Sequence, residues 1–338
     1  MLFPFSSVLF FSSLLLGIFL SISSSSWFSA WIGLELNLLS FIPLIFSKMN
    51  PYLSEVALKY FLIQAMASTM IIFSSSLFMM NLLFSSCIMI FSLLLKLGAA
   101  PFHFWFPQVM EGLTWPQATV LMTLQKLAPM FLISLLTANS TLITILMTSS
   151  IFSALIGALS GFNMMKLRKI MAFSSINHMS WMLISISMND MMWTVYFLFY
   201  SAISISVVFL FYSYQMYHIN QIFSSISLNN QILSLIIPLS LLSLGGLPPL
   251  TGFLPKWMMI QMLITNKMYF TLFFLLFSAL ITLYFYLRIF LPFTLFSNPT
   301  PSLSIKIHSL SPSLSSHTLI ISFFNSVGLF FSFPFLFL

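Results

Sequence analysis

The sequence predicts an all-α polytopic membrane protein with about eleven transmembrane helices, and three observations carry that expectation. Of 338 residues, 60% are hydrophobic and only 4% are charged, against about 25% charged in a soluble domain. Apolar runs of about 20 residues, the length that spans a bilayer as a helix, recur along the chain. No stretch is polar enough to stand as a separate soluble domain, so residues 1–338 read as one membrane domain.

Counting apolar runs between polar breaks places the first six helices at 3–22, 27–46, 54–80, 84–111, 115–136 and 140–162. The remaining five fall at 169–188, 191–217, 231–264, 269–290 and 318–337. The opening MLFPFSSVLFFSSLLLGIFL lacks the Arg-rich, amphipathic character of an organelle import signal and reads as the first span. The fourth and ninth runs carry Gly and Pro near their middles and read as broken helices. The Ser- and Pro-rich stretch 292–317 reads as a linker along the membrane surface. The single cysteine, Cys87, excludes an internal disulfide and any cysteine-ligated metal centre.

The net charge of +7 records topology rather than nucleic-acid binding. With loops placed alternately, one side receives Lys48, Lys166, Arg168, Lys169, Arg288 and Lys306, and the other receives Lys267 and Asp190. The positive-inside rule then puts the N-terminus inside and, with an odd helix count, the C-terminus outside. An internal echo accompanies this arrangement. LGAAPFHFWFP (97–107) and LGGLPPLTGFLP (244–255) align so that Pro101 matches Pro249, Pro107 matches Pro255 and Gly98 matches Gly246. Five crossings separate the two breaks, so the halves, approximately 1–136 and 140–290, would be inverted relative to each other. Paired interrupted helices of this kind point to an ion pathway.

Five titratable residues fall near the centres of predicted helices: Glu35, Lys96, Lys126, His178 and Lys256. A charge at the bilayer centre costs about 2.5–3.5 kcal/mol on insertion scales, so these residues must face one another or water. One such residue could be hydrogen-bonding glue between helices. Five at similar depth on five helices point to function. No metal-ligand cluster, nucleophile–base pattern or P-loop appears; the glycines of GGLPPLTGF (245–253) lack the following Lys-Ser/Thr. Alternating Glu, Lys and His suit proton relay, because a carboxylate approaching a buried lysine favours the ammonium and a withdrawing one favours the amine. Lys96 precedes its break, at the C-terminal end of a half-helix where the dipole favours a cation. Lys256 follows its break, at the start of a half-helix where the dipole opposes one.

A second tier of candidates is weaker. Glu55 and Lys59 have the i, i+4 spacing of a local ion pair and could also mark a proton entry. His103 and Glu111 lie beyond the Pro101 break, while His218, His308 and His317 read as loop or interface residues. The abundant Met and Phe read as packing and lipid-facing material, and Asn139-Ser-Thr141 matches a short glycosylation acceptor pattern that often arises by chance.

Several stretches, in order, carry a resemblance: WIGLELNLLSFIP (31–43), EVALKYFLIQA (55–65), LKLGAAPFHFWFP (95–107), LQKLAP (124–129), LRKIMAFSSINHMSWM (167–182) and SLGGLPPLTGFLPKW (243–257). Together they resemble the subunit 2 family of mitochondrial NADH dehydrogenase (respiratory complex I), over about residues 27–290. The resemblance implies two inverted five-helix repeats and a proton-translocating, antiporter-like subunit. By its motifs Glu35 would be the key glutamate, Lys96 its paired lysine, Lys126 and His178 the connecting groups and Lys256 the distal lysine.

It further implies no cofactor in this chain, with NADH, flavin, iron–sulfur clusters and ubiquinone handled elsewhere in the complex. The implied setting is the mitochondrial inner membrane, N-terminus on the matrix side and C-terminus on the intermembrane-space side. The implied partners are other membrane-arm subunits, including neighbouring antiporter-like ones, with no nucleic acid. Cardiolipin is expected beside the basic cluster at 166–169. A stand-alone cation/proton antiporter and a structural subunit without its own proton path are the rival readings.

Overall fold

The computed structural model describes residues 5–46, 51–78, 81–137, 139–219, 221, 231–248 and 250–295. In chain order they form α1 (Phe5–Ser23), α2 (Trp27–Ile45), α3 (Pro51–Leu77), α4 (Leu82–Leu97), α5 (Trp105–Gly112), α6 (Trp115–Met122) and α7 (Leu124–Ser134). There follow α8 (Ser140–Gly161), α9 (Leu167–Met188), α10 (Asp190–Ser213), α11 (Gln231–Gly245), α12 (Phe253–Thr265) and α13 (Tyr269–Leu295). Among the described residues the only extended pairing is a single bridge between Lys166 and His218. The expected final helix 318–337 and the linker beyond residue 295 lie outside the described residues, as do Lys48, Pro249, Lys306, His308 and His317.

Six helices, α1, α2, α3, α8, α10 and α13, are long and apolar enough to cross a membrane. Their outer faces present large apolar side chains such as Phe19, Leu62, Leu198 and Leu280, as lipid requires. The many serines are compatible with that solvent because their hydroxyls bond the preceding helical turn. The exposed Ser12 and Ser76 and the half-buried Ser75 donate to the carbonyls of Leu9, Phe73 and Ile72, each at 2.8 Å.

α9 follows a different rule. It is 22 residues long and carries Ser174, Ser175, Asn177, His178 and Ser180, yet it is buried without a gap from Ile170 to Ile186. Neighbours including α5, α8, α10 and α13 pack around it, so its polar residues meet protein rather than lipid. It is an inner helix of the bundle.

Two tight crossings show the internal repeat more sharply than the Gly/Pro echo does. A Cβ on Gly17 of α1 would lie 2.9 Å from the Asn37 backbone nitrogen of α2. A Cβ on Gly157 of α8 would lie 2.8 Å from the Asn177 backbone nitrogen of α9. The glycine-to-asparagine spacing is the same in both pairs, so α1–α2 and α8–α9 are packed alike.

The fourth and ninth runs are broken as expected, into α4 and α5 and into α11 and α12. The fifth run, 115–136, is not one helix. It is interrupted at Thr123, whose φ of −114° and ψ of −78° separate α6 from α7. Pro129 lies inside α7, where it leaves the Gln125 carbonyl without its helical N–H, rather than at the interruption itself. The eighth run ends early, at Ser213, because the chain then turns so that Tyr217 and Ile219 exchange backbone hydrogen bonds with Leu167 and Met165. The tenth run goes on to Leu295, past the expected start of the linker at 292, because the apolar sequence continues to that point.

Candidate functional site

The first break is built to expose carbonyls and then satisfy them. Gly98 ends α4 in the left-handed region, φ 69°, which a residue with a Cβ rarely adopts. The chain then passes a cis Ala100–Pro101 bond before α5 begins. Trp105 Nε1 donates to the Leu95 carbonyl at 3.0 Å, and Gln64 Nε2 donates to the Lys96 carbonyl at 3.3 Å. Neutral donors therefore take the freed backbone oxygens, and the Lys96 side chain, itself buried, is left to face inward.

The second break repeats the geometry with a different donor. Gly246 is left-handed, φ 75°, and Lys256 Nζ reaches back to donate to the Gly245 carbonyl at 2.7 Å. This corrects the dipole argument from sequence. The Lys256 backbone does begin α12, but its ammonium sits at the C-terminal end of α11, where the dipole favours a cation. The charge lies where the flexible stem delivers it, not where its Cα stands.

Lys96 and Lys126 line one small cavity of about 10 Å³, together with Asn37, Tyr60, Gln64 and Gln125 among others. Lys126 is 2% exposed. Its ammonium lies 5.2 Å from the Phe106 ring and 5.1 Å from the Tyr200 ring, and it donates long hydrogen bonds to the Ser175 carbonyl (3.4 Å) and the Tyr200 hydroxyl (3.5 Å). On the far side of Tyr200, 5.1 Å ring to ring, stands His178, whose Nδ1 is 3.0 Å from the Tyr196 hydroxyl. His178 is within electrostatic reach of both Lys126 and Lys256.

Glu35 is half-buried on α2 and within electrostatic reach of Lys96 and Tyr60. Among the described residues the ion pairs are Glu55–Lys59, Glu111–Lys166 and Glu111–Lys169, so Glu35 and Lys96 are not in ion-pair contact. Glu35 Oε2 is buried with no hydrogen-bond partner among the described residues.

The second-tier candidates separate from this row. Glu55 and Lys59 form a 2.6 Å pair between side chains 61% and 43% exposed. His103 sits inside the first break, its Nδ1 3.3 Å from the Pro101 carbonyl. Glu111, at the surface end of α5, is held by Lys166 and by Lys169 (2.7 Å), while Arg168 donates to the Leu113 carbonyl. These contacts fasten the α5–α6 corner to the start of α9. Partial burial opposes ionisation of Glu111, but hydrogen bonds from the two lysines outweigh it and hold the carboxyl below its ordinary range. Glu55, Lys59, Glu111, Lys166, Arg168 and His218 line a surface cleft of about 430 Å³.

Sequence reasoning missed Tyr196, Tyr200, Asn37 and Gln125. Tyr196 and Tyr200 stand i, i+4 on α10 and are both buried, a spacing that puts two hydroxyls on one helix face. That signal was present in the sequence.

Residues 76–282 match the family described as NADH:quinone oxidoreductase/Mrp antiporter, TM. The stretch that holds both broken helices is thus an antiporter-like membrane domain. The NADH-ubiquinone oxidoreductase chain 2 of Anopheles gambiae is 46% identical over 333 residues, covering 96% of this chain and 96% of that protein. The chain belongs to the NADH-ubiquinone oxidoreductase chain 2 family. It is therefore an antiporter-like subunit of the NADH:quinone oxidoreductase complex and a multi-pass inner-membrane protein.

Among solved structures, a chain of respiratory complex I from Thermus thermophilus with bound aureothin has a TM-score of 0.75 and 22% identity, over 86% of this chain and 71% of that one. A chain of the membrane-bound sulfane sulfur reductase, an archaeal respiratory membrane complex, has a TM-score of 0.80 and 15% identity, over 96% of this chain and 73% of that one. At such identities these likenesses speak for the fold.

Proposed function

We propose that this chain carries protons across the membrane within complex I, along Glu35, Lys96, Lys126, His178 and Lys256 in that order. The observation that carries the reading is the burial of three lysines and a histidine, each at most 7% exposed and none in an ion pair among the described residues. An ammonium held in a protein interior without a counter-ion costs several kcal/mol, so groups retained there are suited to gaining and losing protons. Glu35, near Lys96 but out of contact, is placed to act as the mobile charge: its approach would load Lys96 and its withdrawal would release the proton. Tyr200 and Tyr196 provide hydroxyls between Lys126 and His178.

On this reading the chain has no redox group, and NADH oxidation and quinone reduction occur in other subunits of the complex. The end bearing Lys59, Lys166, Arg168, Lys169 and Arg288 faces the matrix and the end bearing Asp190 and Lys267 faces outward, by the positive-inside rule. Neighbouring antiporter-like subunits flank the chain, and cardiolipin headgroups meet the basic cluster at 166–169.

The test begins with a mild detergent extract run on a native gel, stained for NADH oxidation and read by mass spectrometry. The reading expects this chain in the stained band in stoichiometric amount and no sodium–proton exchange by the chain alone in vesicles. A chain that runs apart from that band and exchanges cations without NADH would be a stand-alone antiporter instead.

A further inference from the structure

We infer that the surface cleft between the starts of α3 and α9 and the end of α5 is a binding site for a phosphate-bearing ligand, held by Lys59, Lys166 and Arg168. The inference deepens the reading of anionic headgroups at 166–169 and rests on the proposed placement of this end at the inner membrane surface. It adds the residues that hold the phosphate and the charge the ligand must bring.

The cleft measures about 430 Å³, within the range of about 300–1,000 Å³ typical of small-molecule sites. Its charges do not balance. Lys59, Lys166 and Arg168 line it together with Glu55 and Glu111, and Lys169 stands 2.7 Å from Glu111. Both carboxylates are already taken, Glu55 by Lys59 at 2.6 Å and Glu111 by Lys166 and Lys169. Four cations thus face two carboxylates, and two positive charges are left over. Arg168 meets no carboxylate at ion-pair distance among the described residues. Its Nη1 donates to the Leu113 carbonyl, and its guanidinium carbon lies 5.0 Å from the centroid of the Tyr217 ring.

The backbone adds to the excess. α9 begins at this cleft with Lys166 as its N-cap, which makes no side-chain cap hydrogen bond, and its first turn holds no acidic residue. A helix N-terminus favours anions and opposes cations, yet Lys166, Arg168 and Lys169 gather there. The positive-inside rule accounts for cations on this side of the membrane, but not for three at the opening of one helix. An anion seated among them resolves the conflict. A phosphate monoester carries about −1.5 to −2 at pH 7 and three acceptor oxygens, which matches the excess. The planar arginine fork suits two phosphate oxygens at once. Two sources present that charge. One is a phosphate in solution; the other is the paired phosphates of a cardiolipin headgroup, with acyl chains along the exposed Leu58, Leu62 and Met66 of α3.

The experiment is cryo-EM of the assembled complex, stripped of lipid and placed in nanodiscs, in three preparations. The first has phosphatidylcholine alone in a buffer free of phosphate and sulfate. The second adds inorganic phosphate, and the third replaces part of the phosphatidylcholine with cardiolipin in the first buffer. The expected result is density within hydrogen-bond distance of Lys166 and Arg168 in the second or third preparation and none in the first. Compact density with inorganic phosphate assigns the soluble source; density that continues along Leu58 and Leu62 with cardiolipin assigns the lipid. Titrated with whichever probe binds, Arg168→Gln should weaken affinity about tenfold or more and Lys59→Gln about threefold. Where Arg168→Gln does not assemble, Lys59→Gln, whose pair with Glu55 is exposed, decides alone. A cleft empty in all three maps, or filled by a segment of another subunit, overturns the site, as does unchanged affinity in Lys59→Gln. Density alike in all three overturns the charge match. An empty cleft beside cardiolipin elsewhere on 166–169 overturns the site and leaves the headgroup reading standing. Phosphate in the cleft with no cardiolipin at 166–169 supports the site and overturns that reading.

Discussion

The two breaks in the bundle start from the same backbone device and end with different divisions of labour. Each half-helix stops at a left-handed glycine, Gly98 at φ 69° and Gly246 at φ 75°, and each stop frees carbonyl oxygens inside the protein. In the first break Trp105 and Gln64 take those oxygens, and the buried Lys96 side chain, which lines the cavity it shares with Lys126, is on the relay proposed above left to exchange with Glu35. In the second, Lys256 takes the Gly245 oxygen itself, so one side chain both completes the backbone and holds the titratable charge. Structure and proton chemistry are separable in the first half and fused in the second.

That contrast is broken most directly at the lysines. Lys256→Ala removes a charge and strands the Gly245 carbonyl, a loss of about 1–3 kcal/mol for the unsatisfied group. It is expected to reduce both the amount of assembled complex on a native gel and the protons pumped per NADH. Lys96→Ala leaves Trp105 and Gln64 in place and is expected to assemble while pumping poorly. Equal assembly of the two variants would contradict the distinction.

Trp105→Phe sharpens it from the other side. It keeps an aromatic ring and deletes the indole donor to Leu95, whose carbonyl still accepts from the Gly98 N–H at 3.2 Å, so the loss is that of one hydrogen bond, about 0.5–1.5 kcal/mol. It should lower the thermal midpoint of the membrane arm with little change in protons per NADH, since Lys96 keeps its ammonium.

Smaller effects are expected at the surface. Glu111→Gln loosens the corner between α5 and α9, but the site is 31% exposed and solvent screening holds the effect to about 1 kcal/mol or less. Because the Glu111 carboxyl is depressed in the folded state, its contribution is present above the ordinary carboxylate range and is lost as pH falls through its lowered pKa. Thermal midpoints of wild type and Glu111→Gln should therefore converge only in acid. Glu55→Gln breaks a pair more than two-fifths exposed on both sides and should change assembly and pumping by no more than the error of either assay, as exposed i, i+4 pairs contribute about 0.3–0.5 kcal/mol.

Both Gly/Pro breaks were legible because Gly98, Pro101 and Gly246 interrupt apolar runs where a helix has no other reason to stop. The row of buried charges was legible for a related reason: lipid makes each of Lys96, Lys126 and Lys256 conspicuous. The interruption at Thr123 was hidden, since no Gly or Pro stands at it and the run otherwise reads as one helix. The reach of Lys256 back to Gly245 was hidden too, because helix position fixes a Cα and a four-carbon stem decides where the charge ends. Tyr196 and Tyr200 were overlooked because buried aromatics in apolar helices pass for packing. The clamp at Glu111 depends on the ends of α5 and α9 meeting, which no local pattern records.

The central claim is that protons pass through the middle of the row, where Lys126 stands between the cavity shared with Lys96 and the Tyr200 ring that packs on His178. The most direct measurement is the number of protons translocated per NADH oxidised by purified, reconstituted complex carrying Lys126→Ala, with assembly checked on a native gel. The account predicts a normally assembled complex that pumps fewer protons per NADH than wild type. A normally assembled complex with an undiminished ratio would contradict it.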